Sequence, residues 1–258
     1  MKKKLFLGLL ILLAVVFLAI SRFNLLSVTS VEIQGSLSCA PQNDIISFLN
    51  LKGVNIFVIN EEELRKKAAQ KFPCLQTLQL ERKLPRIIVA VVREKEPSVN
   101  VTSYVLSEGL TIDLNSPLSS QASLLDWSFS ASSSDVWLAD KGGKIFKQET
   151  RADLPTLFIN EQTIKLGQNL NQGLFESLTL ALDKFKKINL PVTQLKVLGS
   201  VLLTNTQPRV VLSLAKDMSR QLASLQLILQ KAKIDGKAMD TIDLRFDKPV
   251  VVYSQKHE

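Results

Sequence analysis

The chain has 258 residues, of which 46 % are hydrophobic, with 32 basic and 24 acidic side chains. This length allows one large domain or two small ones, and the apolar fraction is enough for a sizeable core. The sequence contains no run of clustered bases with interleaved aromatic residues. The composition therefore argues against nucleic-acid binding, and the mild positive charge suits an anionic lipid or wall-polymer surface better.

The first apolar stretch runs from Leu5 to Ile20, contains no polar side chain and follows three lysines. A helix of this length covers roughly 24 Å, close to the thickness of a bilayer core. A cleaved signal peptide is the alternative, but the exit Leu18–Phe23 offers no Ala-x-Ala site. We predict a cytoplasmic tail over 1–4 and a transmembrane helix over 5–23. The positive-inside rule then puts the rest of the chain outside the cytoplasm.

Cys39 and Cys74 are the two cysteines of the chain. In an oxidising compartment such a pair is a disulfide candidate, and the alternative is two free, buried thiols. No Cys-x-x-Cys or Cys/His spacing points to a metal site. We favour the disulfide.

The segment 27–97 is predicted to fold as a small α/β unit. Asn60 has the character of an N-cap and is followed three residues later by Glu63, which is capping-box spacing. Pro85 interrupts two apolar strand patterns and predicts the turn of a hairpin. The expected elements are a strand at 28–33, helices at 42–51 and 60–72, and hairpin strands within 75–97.

The segment 98–254 is predicted to form a second sheet with two helices. Lys141-Gly142-Gly143 has the composition of a hairpin turn. The serine-rich segment 115–134 is predicted to be a loop, and 255–258 a C-terminal tail. The expected strands are 98–106, 111–114, 135–140, 144–146, 194–205, 209–214, 242–246 and 250–253, and the expected helices are 168–187 and 217–232.

The sequence contains little that could support catalysis. Its one histidine, His257, is next to the last residue, so Ser-His-Asp and Cys-His mechanisms have no base. Ser213 and Lys216 match an S-x-x-K pattern, but the serine falls in a predicted strand rather than at the start of a helix. Asp243 and Asp247 are interpreted as solvated charges at a strand end. We expect no enzyme activity, no cofactor, no metal and no small-molecule substrate.

Several short motifs together resemble one known family. In the first segment these are Val-Glu-Ile-Gln-Gly at 31–35, Gly-x-Asn-Ile-Phe at 53–57, Phe-Pro at 72–73, Glu-Arg-Lys-Leu-Pro at 81–85 and Val-Arg-Glu-Lys-Glu-Pro at 92–97. In order and spacing they are similar to a POTRA domain of the FtsQ/DivIB cell-division type. The stretches 138–146 and 242–252 resemble the β domain of the same family. The resemblance implies an α+β fold: a single N-terminal transmembrane helix, a β-α-α-β-β POTRA domain over 27–97, and an FtsQ-like mixed-sheet domain over 98–254.

The same resemblance implies a non-enzymatic function. It predicts a bitopic scaffold of the bacterial division septum, in the cell membrane, whose outer domain binds FtsB/DivIC-like and FtsL-like small coiled-coil membrane proteins and other divisome proteins. A POTRA-type chaperone or translocation component for exported proteins is the alternative.

The predicted contact with a partner is the last strand. An edge strand offers backbone groups to which a partner can add a strand of its own. The alternative is that the valine run is ordinary core. The residues predicted to form this edge are Pro249, Val250, Val251, Val252, Tyr253 and Ser254.

Overall fold

The computed structural model describes residues 26–104, 116, 135–161 and 163–254. They belong to two compact units that divide between Lys95 and Glu96. The first unit contains β1 (Ser30–Gln34), α1 (Gln42–Leu49), α2 (Glu61–Lys71), β2 (Leu75–Lys83) and β3 (Ile87–Glu94).

The first unit is built on a three-stranded sheet in the order β1-β3-β2. β2 and β3 form an antiparallel hairpin, and β1 lies parallel to β3. The predicted N-cap of α2 is confirmed, because the Asn60 side chain accepts a hydrogen bond from the Glu63 amide at 3.2 Å. Phe48 of α1 meets Phe72, just after α2, edge to face with ring centroids 5.3 Å apart. Aromatic contact of this geometry ties the two helices together.

The second unit contains nine strands and two helices. Its sheet has the order β12-β11-β10-β9-β8-β7-β4-β5-β6. The elements are β4 (Val99–Ser103), β5 (Trp137–Ala139), β6 (Ile145–Gln148), β7 (Thr156–Ile159), α3 (Gln172–Lys187), β8 (Gln194–Leu198), β9 (Val201–Thr204), β10 (Arg209–Ser213), α4 (Met218–Asp235), β11 (Met239–Asp243) and β12 (Val250–Tyr253).

One face of this large sheet packs against the two helices. Phe175, Leu178 and Phe185 of α3 and Leu222 and Leu225 of α4 are all buried in one apolar cluster with the strands. These side chains recur at spacings of three and seven, as the amphipathic pattern requires. The hydrophobic core of the second unit therefore lies between this sheet face and the helix pair.

The opposite face of the sheet is also buried. Across four adjacent strands, Lys196, Leu203, Val211 and Asp243 stand in register and are each no more than 2 % exposed. Nearby, the Tyr104 hydroxyl donates a hydrogen bond of 2.7 Å to the Val197 carbonyl oxygen. The Lys196 ammonium lies 5.4 Å from the centre of the Tyr104 ring. A sheet buried on both faces explains why its strands are nearly continuous apolar runs.

The predicted fold class, a single N-terminal transmembrane helix followed by a POTRA domain and a mixed-sheet domain, is wrong. The described residues form four helices and twelve strands in two sheets. Within this described part of the chain, none of the helices is both long and apolar enough to cross a membrane. The predicted tail 1–4, transmembrane helix 5–23, strand 111–114 and C-terminal tail 255–258 lie outside the described residues, as does the serine-rich segment 115–134 apart from Ser116.

Two predicted elements have different bounds for local reasons. The helix expected from residue 168 begins at Gln172, because the Asn171 side chain caps it by accepting from the Leu174 amide at 3.1 Å. The strand expected over 194–205 is two strands, because Gly199 adopts a positive φ of 57° and turns the chain. A two-residue Gly-Ser turn is compatible with a tight hairpin.

Candidate partner-binding edge

The six predicted edge residues include the whole of β12, which is the outermost strand at one end of the nine-stranded sheet. β12 pairs with β11 in antiparallel register, with Ile242 opposite Val251 and Asp243 opposite Val250. Pro249 comes directly before the strand, at a position where a missing N–H costs no ladder bond. No described strand lies on the other side of β12.

Two backbone hydrogen bonds fix which groups of β12 face outward. The Ser254 amide donates to the Ala238 carbonyl oxygen at 3.0 Å, so Ser254 faces inward toward β11. The Leu244 amide donates to Val211 of β10 at 2.9 Å, so Leu244 faces β10 and its neighbour Asp243 faces Val250 of β12. Because backbone groups alternate along a strand, Val250, Val252 and Ser254 bond inward, and the N–H and C=O groups of Val251 and Tyr253 point outward.

The side chains of the edge are only partly covered. Val250, Val251 and Val252 are half-buried, and Val251 packs against the apolar cluster of the second unit. Tyr253 is 50 % exposed, and the Lys237 ammonium lies 5.6 Å from its ring centre. A strand that is neither buried nor wholly solvated keeps apolar surface available for a partner.

β11 is held firmly beneath this edge. Register shifts between Met239 and Thr241, so Asp240 is the extra residue of a bulge. Arg209 of β10 donates from Nη2 to both Asp240 carboxylate oxygens at 3.2 Å. A hydrogen bond from the Thr241 hydroxyl, and then the Arg209 charge, lower the pKa of Asp240. The bulged strand is therefore pinned on its β10 side, away from the free edge.

A buried ion pair lies at the end of β11. Arg245 donates from Nε and Nη2 to both carboxylate oxygens of Asp243, at 2.7–3.2 Å, and from Nη2 to the Ser116 carbonyl oxygen at 2.9 Å. The interpretation of Asp243 as a solvated charge is wrong, because this side chain is 3 % exposed. The Asp-x-Arg spacing, which puts both side chains on one face of an extended chain, was the available signal.

Asp247 behaves as predicted, and it borders an open cavity. Its side chain is 97 % exposed and accepts a hydrogen bond from Lys216 at 2.7 Å, which lowers the pKa of Asp247. The cavity has a volume of about 410 Å³ and opens beside Pro249, directly before β12. Its lining combines cations with apolar surface: Lys216, Arg220, Gln221, Leu244, Phe246 and Pro249.

The other predicted site lies in the first unit. Cys39, before α1, is bonded to Cys74, before β2, with Cα atoms 6.1 Å apart. Cys74 is fully buried and Cys39 is exposed. Ser213 lies in β10, where its amide donates to the buried Gln221 side chain and its carbonyl oxygen accepts from it. His257 lies outside the described residues.

Among residues 26–104, 135–161 and 163–254, no group of three His, Cys, Asp or Glu side chains is placed to hold a metal ion. The backbone edge is thus the feature with the clearest binding chemistry in the described chain. No model of a known protein family matches the chain, and no curated protein matches it.

Proposed function

We propose that this protein is a non-enzymatic scaffold of the bacterial division septum, of the FtsQ/DivIB type, acting at the outer side of the cell membrane. Its second unit binds small coiled-coil membrane proteins of the FtsB/DivIC and FtsL kinds. A strand of the partner adds to β12. The single observation that supports this proposal most is the position of β12 at the sheet edge, with Val251 and Tyr253 presenting outward backbone groups.

The size of the edge indicates how much of the partner must take part. Two outward residues offer up to four backbone hydrogen bonds, each with a net contribution of about 1 kcal/mol. A total of about 4 kcal/mol corresponds to a dissociation constant near 1 mM, too weak for a scaffold. The partner must therefore also cover the exposed ring of Tyr253 and surface on either side of the strand. A short strand followed by a second segment, as in a chain that leaves a coiled coil, fits this need.

The disulfide supports the proposed compartment. Cys39 is exposed, so a reducing cytosol would have direct access to the bond. Structural disulfides persist in oxidising environments outside the cytoplasm. The bond between Cys39 and Cys74 is thus consistent with a protein whose folded units work on the outer side of the membrane.

The proposal is tested by purifying the tagged full chain from membranes and identifying co-purifying proteins by mass spectrometry. Tyr253→Glu places a charge on the half-exposed ring position of β12 and should abolish recovery of the small coiled-coil partners. The matched control is Gln148→Glu on β6, an exposed residue of the strand at the other end of the same sheet. Equal recovery with both variants would refute binding at β12.

A further inference from the structure

The first unit has an exposed apolar surface at one end, which we name the tip surface: Phe57, Val58 and Leu84. These side chains are 61 %, 70 % and 64 % exposed. β1 and β3 begin at this end of the sheet and β2 finishes there, because β1 is parallel to β3 and antiparallel to β2 through it. Leu84 occupies the hairpin turn, and Phe57 and Val58 lie in the link before α2. Three large apolar side chains exposed to water at one end of the unit form an apolar patch, and such patches mark interaction sites.

The tip surface is rigidly attached to the start of the described chain. The Ile56 amide donates to the Leu26 carbonyl oxygen at 2.9 Å, and the Val28 amide donates to Val54 at 2.8 Å. Arg82, two residues before Leu84, donates from Nε to the Ile56 carbonyl oxygen at 3.0 Å. The link that carries Phe57 is therefore bonded on one side to the hairpin and on the other to residues 26–28.

We propose that the tip surface docks on a lipid bilayer, with its three side chains inserted at the headgroup boundary. Ile20 is the last of sixteen consecutive residues without a polar side chain, and Leu26 follows six residues later. Six residues reach at most about 20 Å when fully extended. An apolar medium around Ile20 would therefore lie within about 20 Å of Leu26, whose carbonyl oxygen accepts from the amide of Ile56, next to Phe57.

The charges around the tip surface fit an anionic membrane. Lys52 and Lys83 are exposed next to the link and the hairpin turn. Arg82 and Arg86 at the same end donate to backbone carbonyl oxygens of Ile56 and Ser27. The acidic side chains at this end are Glu81 and the first turn of α2, where Glu61, Glu62 and Glu63 pair with Arg65, Lys66 and Lys67.

Since three of those four carboxylates are paired within the helix, the surface facing outward at this end is net basic. Apolar side chains ringed by Lys and Arg are the arrangement that binds an anionic lipid interface. Docking of three side chains is weak alone, but tethering within about 20 Å raises the effective lipid concentration. The bilayer would then fix the orientation of the first unit.

The test measures contact with lipid directly, on the full chain reconstituted into vesicles. Phe57→Trp reports from the tip surface, and Gln70→Trp is the matched control, exposed near the other end of α2. Native Trp127 and Trp137 are removed from the signal by subtracting the parent chain. Vesicles contain phosphatidylcholine and phosphatidylglycerol, with or without bromine on the acyl chains to quench nearby tryptophan.

We expect bromolipid to quench the Phe57→Trp signal at least twofold more than the Gln70→Trp signal. Adding Val58→Glu and Leu84→Glu to Phe57→Trp should remove that difference while the disulfide still forms, as seen on non-reducing gels. Equal quenching of the two tryptophans overturns the proposal. A blue-shifted Phe57→Trp emission without bromolipid quenching also overturns it, because protein then covers the surface. Neither result bears on β12, which lies in the second unit and takes no part in this measurement.

Discussion

Arg245 and Asp243, two residues apart at the end of β11, form an ion pair with side chains that are only 4 % and 3 % exposed. The pair lies on the sheet face that bears Val250 of β12, since Asp243 is directly opposite Val250. Such a pair contributes little net stability compared with apolar residues, but removing one partner leaves a buried charge. The edge that we propose for binding therefore depends on charges beneath it that a partner would not touch.

Replacing Asp243 by Asn should destabilise the second unit by about 3–5 kcal/mol, because it removes the carboxylate that pairs with the buried Arg245 guanidinium. Urea unfolding of the full chain measures the change. Asp247→Asn is the control, since the Lys216–Asp247 pair is solvent-exposed and its loss should leave the transition in place. A loss below about 1 kcal/mol for Asp243→Asn would mean that Arg245 finds other partners.

Proline at two adjacent positions separates partner binding from folding. Val251→Pro removes an outward N–H and should abolish recovery of the partner, while stability falls by only about 1 kcal/mol from the lost packing of Val251 on the apolar cluster. Val252→Pro removes an N–H that bonds to β11 and should lower stability by about 3 kcal/mol. The same purification and urea experiments give both results. Loss of stability in Val251→Pro as large as in Val252→Pro would show that the inward and outward assignment is reversed.

The disulfide should account for a large part of the stability of the first unit. The bond closes a loop of 35 residues, and the chain-entropy model gives about 3–4 kcal/mol for such a loop. We expect this loss in the Cys39→Ala/Cys74→Ala variant, measured by urea unfolding. Since the chain has two cysteines, dithiothreitol should destabilise the parent to the same extent and leave the double variant unaffected.

Tyr104 should make the second unit sensitive to alkali. Burial raises the pKa of Tyr104 to about 12 from the ordinary value of 10.0, because the phenolate is poorly solvated in the core. Below pH 10 both states keep the proton and stability is complete. As pH rises from about 10 to 12 the unfolded state loses its proton first, and up to about 3 kcal/mol of stability is lost.

Tyr104→Phe tests this assignment, because it removes the titrating group. The variant should lose about 1 kcal/mol at pH 8, where the hydrogen bond to Val197 is missing. Its stability should then fall less steeply than that of the parent between pH 10 and 12. Parallel pH curves for the two proteins would show that other groups cause the alkaline loss.

Two glycines with positive φ predict unequal effects of alanine. Gly53 has a φ of 85° and open space around it, so Gly53→Ala should cost about 1 kcal/mol from backbone strain alone. Gly35 has a φ of 101°, and a Cβ there would overlap the Val92 carbonyl oxygen. Gly35→Ala should cost about 2 kcal/mol more, because β1 must move away from β3. Thermal or urea unfolding of the two variants ranks them, and similar losses would contradict the overlap.

The sequence predicted local features better than the arrangement of strands. Capping by Asn60 and the turn at Gly142-Gly143 depend on neighbouring residues, and both are present. Leu170 extended the helical stripe to Leu174 and Leu178, which placed the start of α3 too early. Leu170 is buried, but its amide donates to the Gly143 carbonyl oxygen in the turn between β5 and β6. Periodicity cannot distinguish a helical residue from a loop residue that packs on the same core.

The buried charges could not be predicted in the same way. Lys196 alternates with Leu195 and Val197, which is typical of a side chain that faces water. It is instead 1 % exposed, because the second face of the sheet is also covered. Coverage of that face depends on contacts between distant residues such as Ser116 and Arg245, 129 positions apart. Pattern within a strand carries no information about such contacts.

The edge strand β12 is the last of the described strands to be synthesised. Every other described strand is made before it, and β11 can complete its antiparallel pairing only when Tyr253 has left the ribosome. A product terminated after residue 248 would leave β11, with the fully buried Ile242, as the new sheet border. That border would present the unpaired backbone groups of β11 and would attract other chains without selectivity. Adding the last strand thus converts an aggregation-prone border into the surface that we assign to a chosen partner.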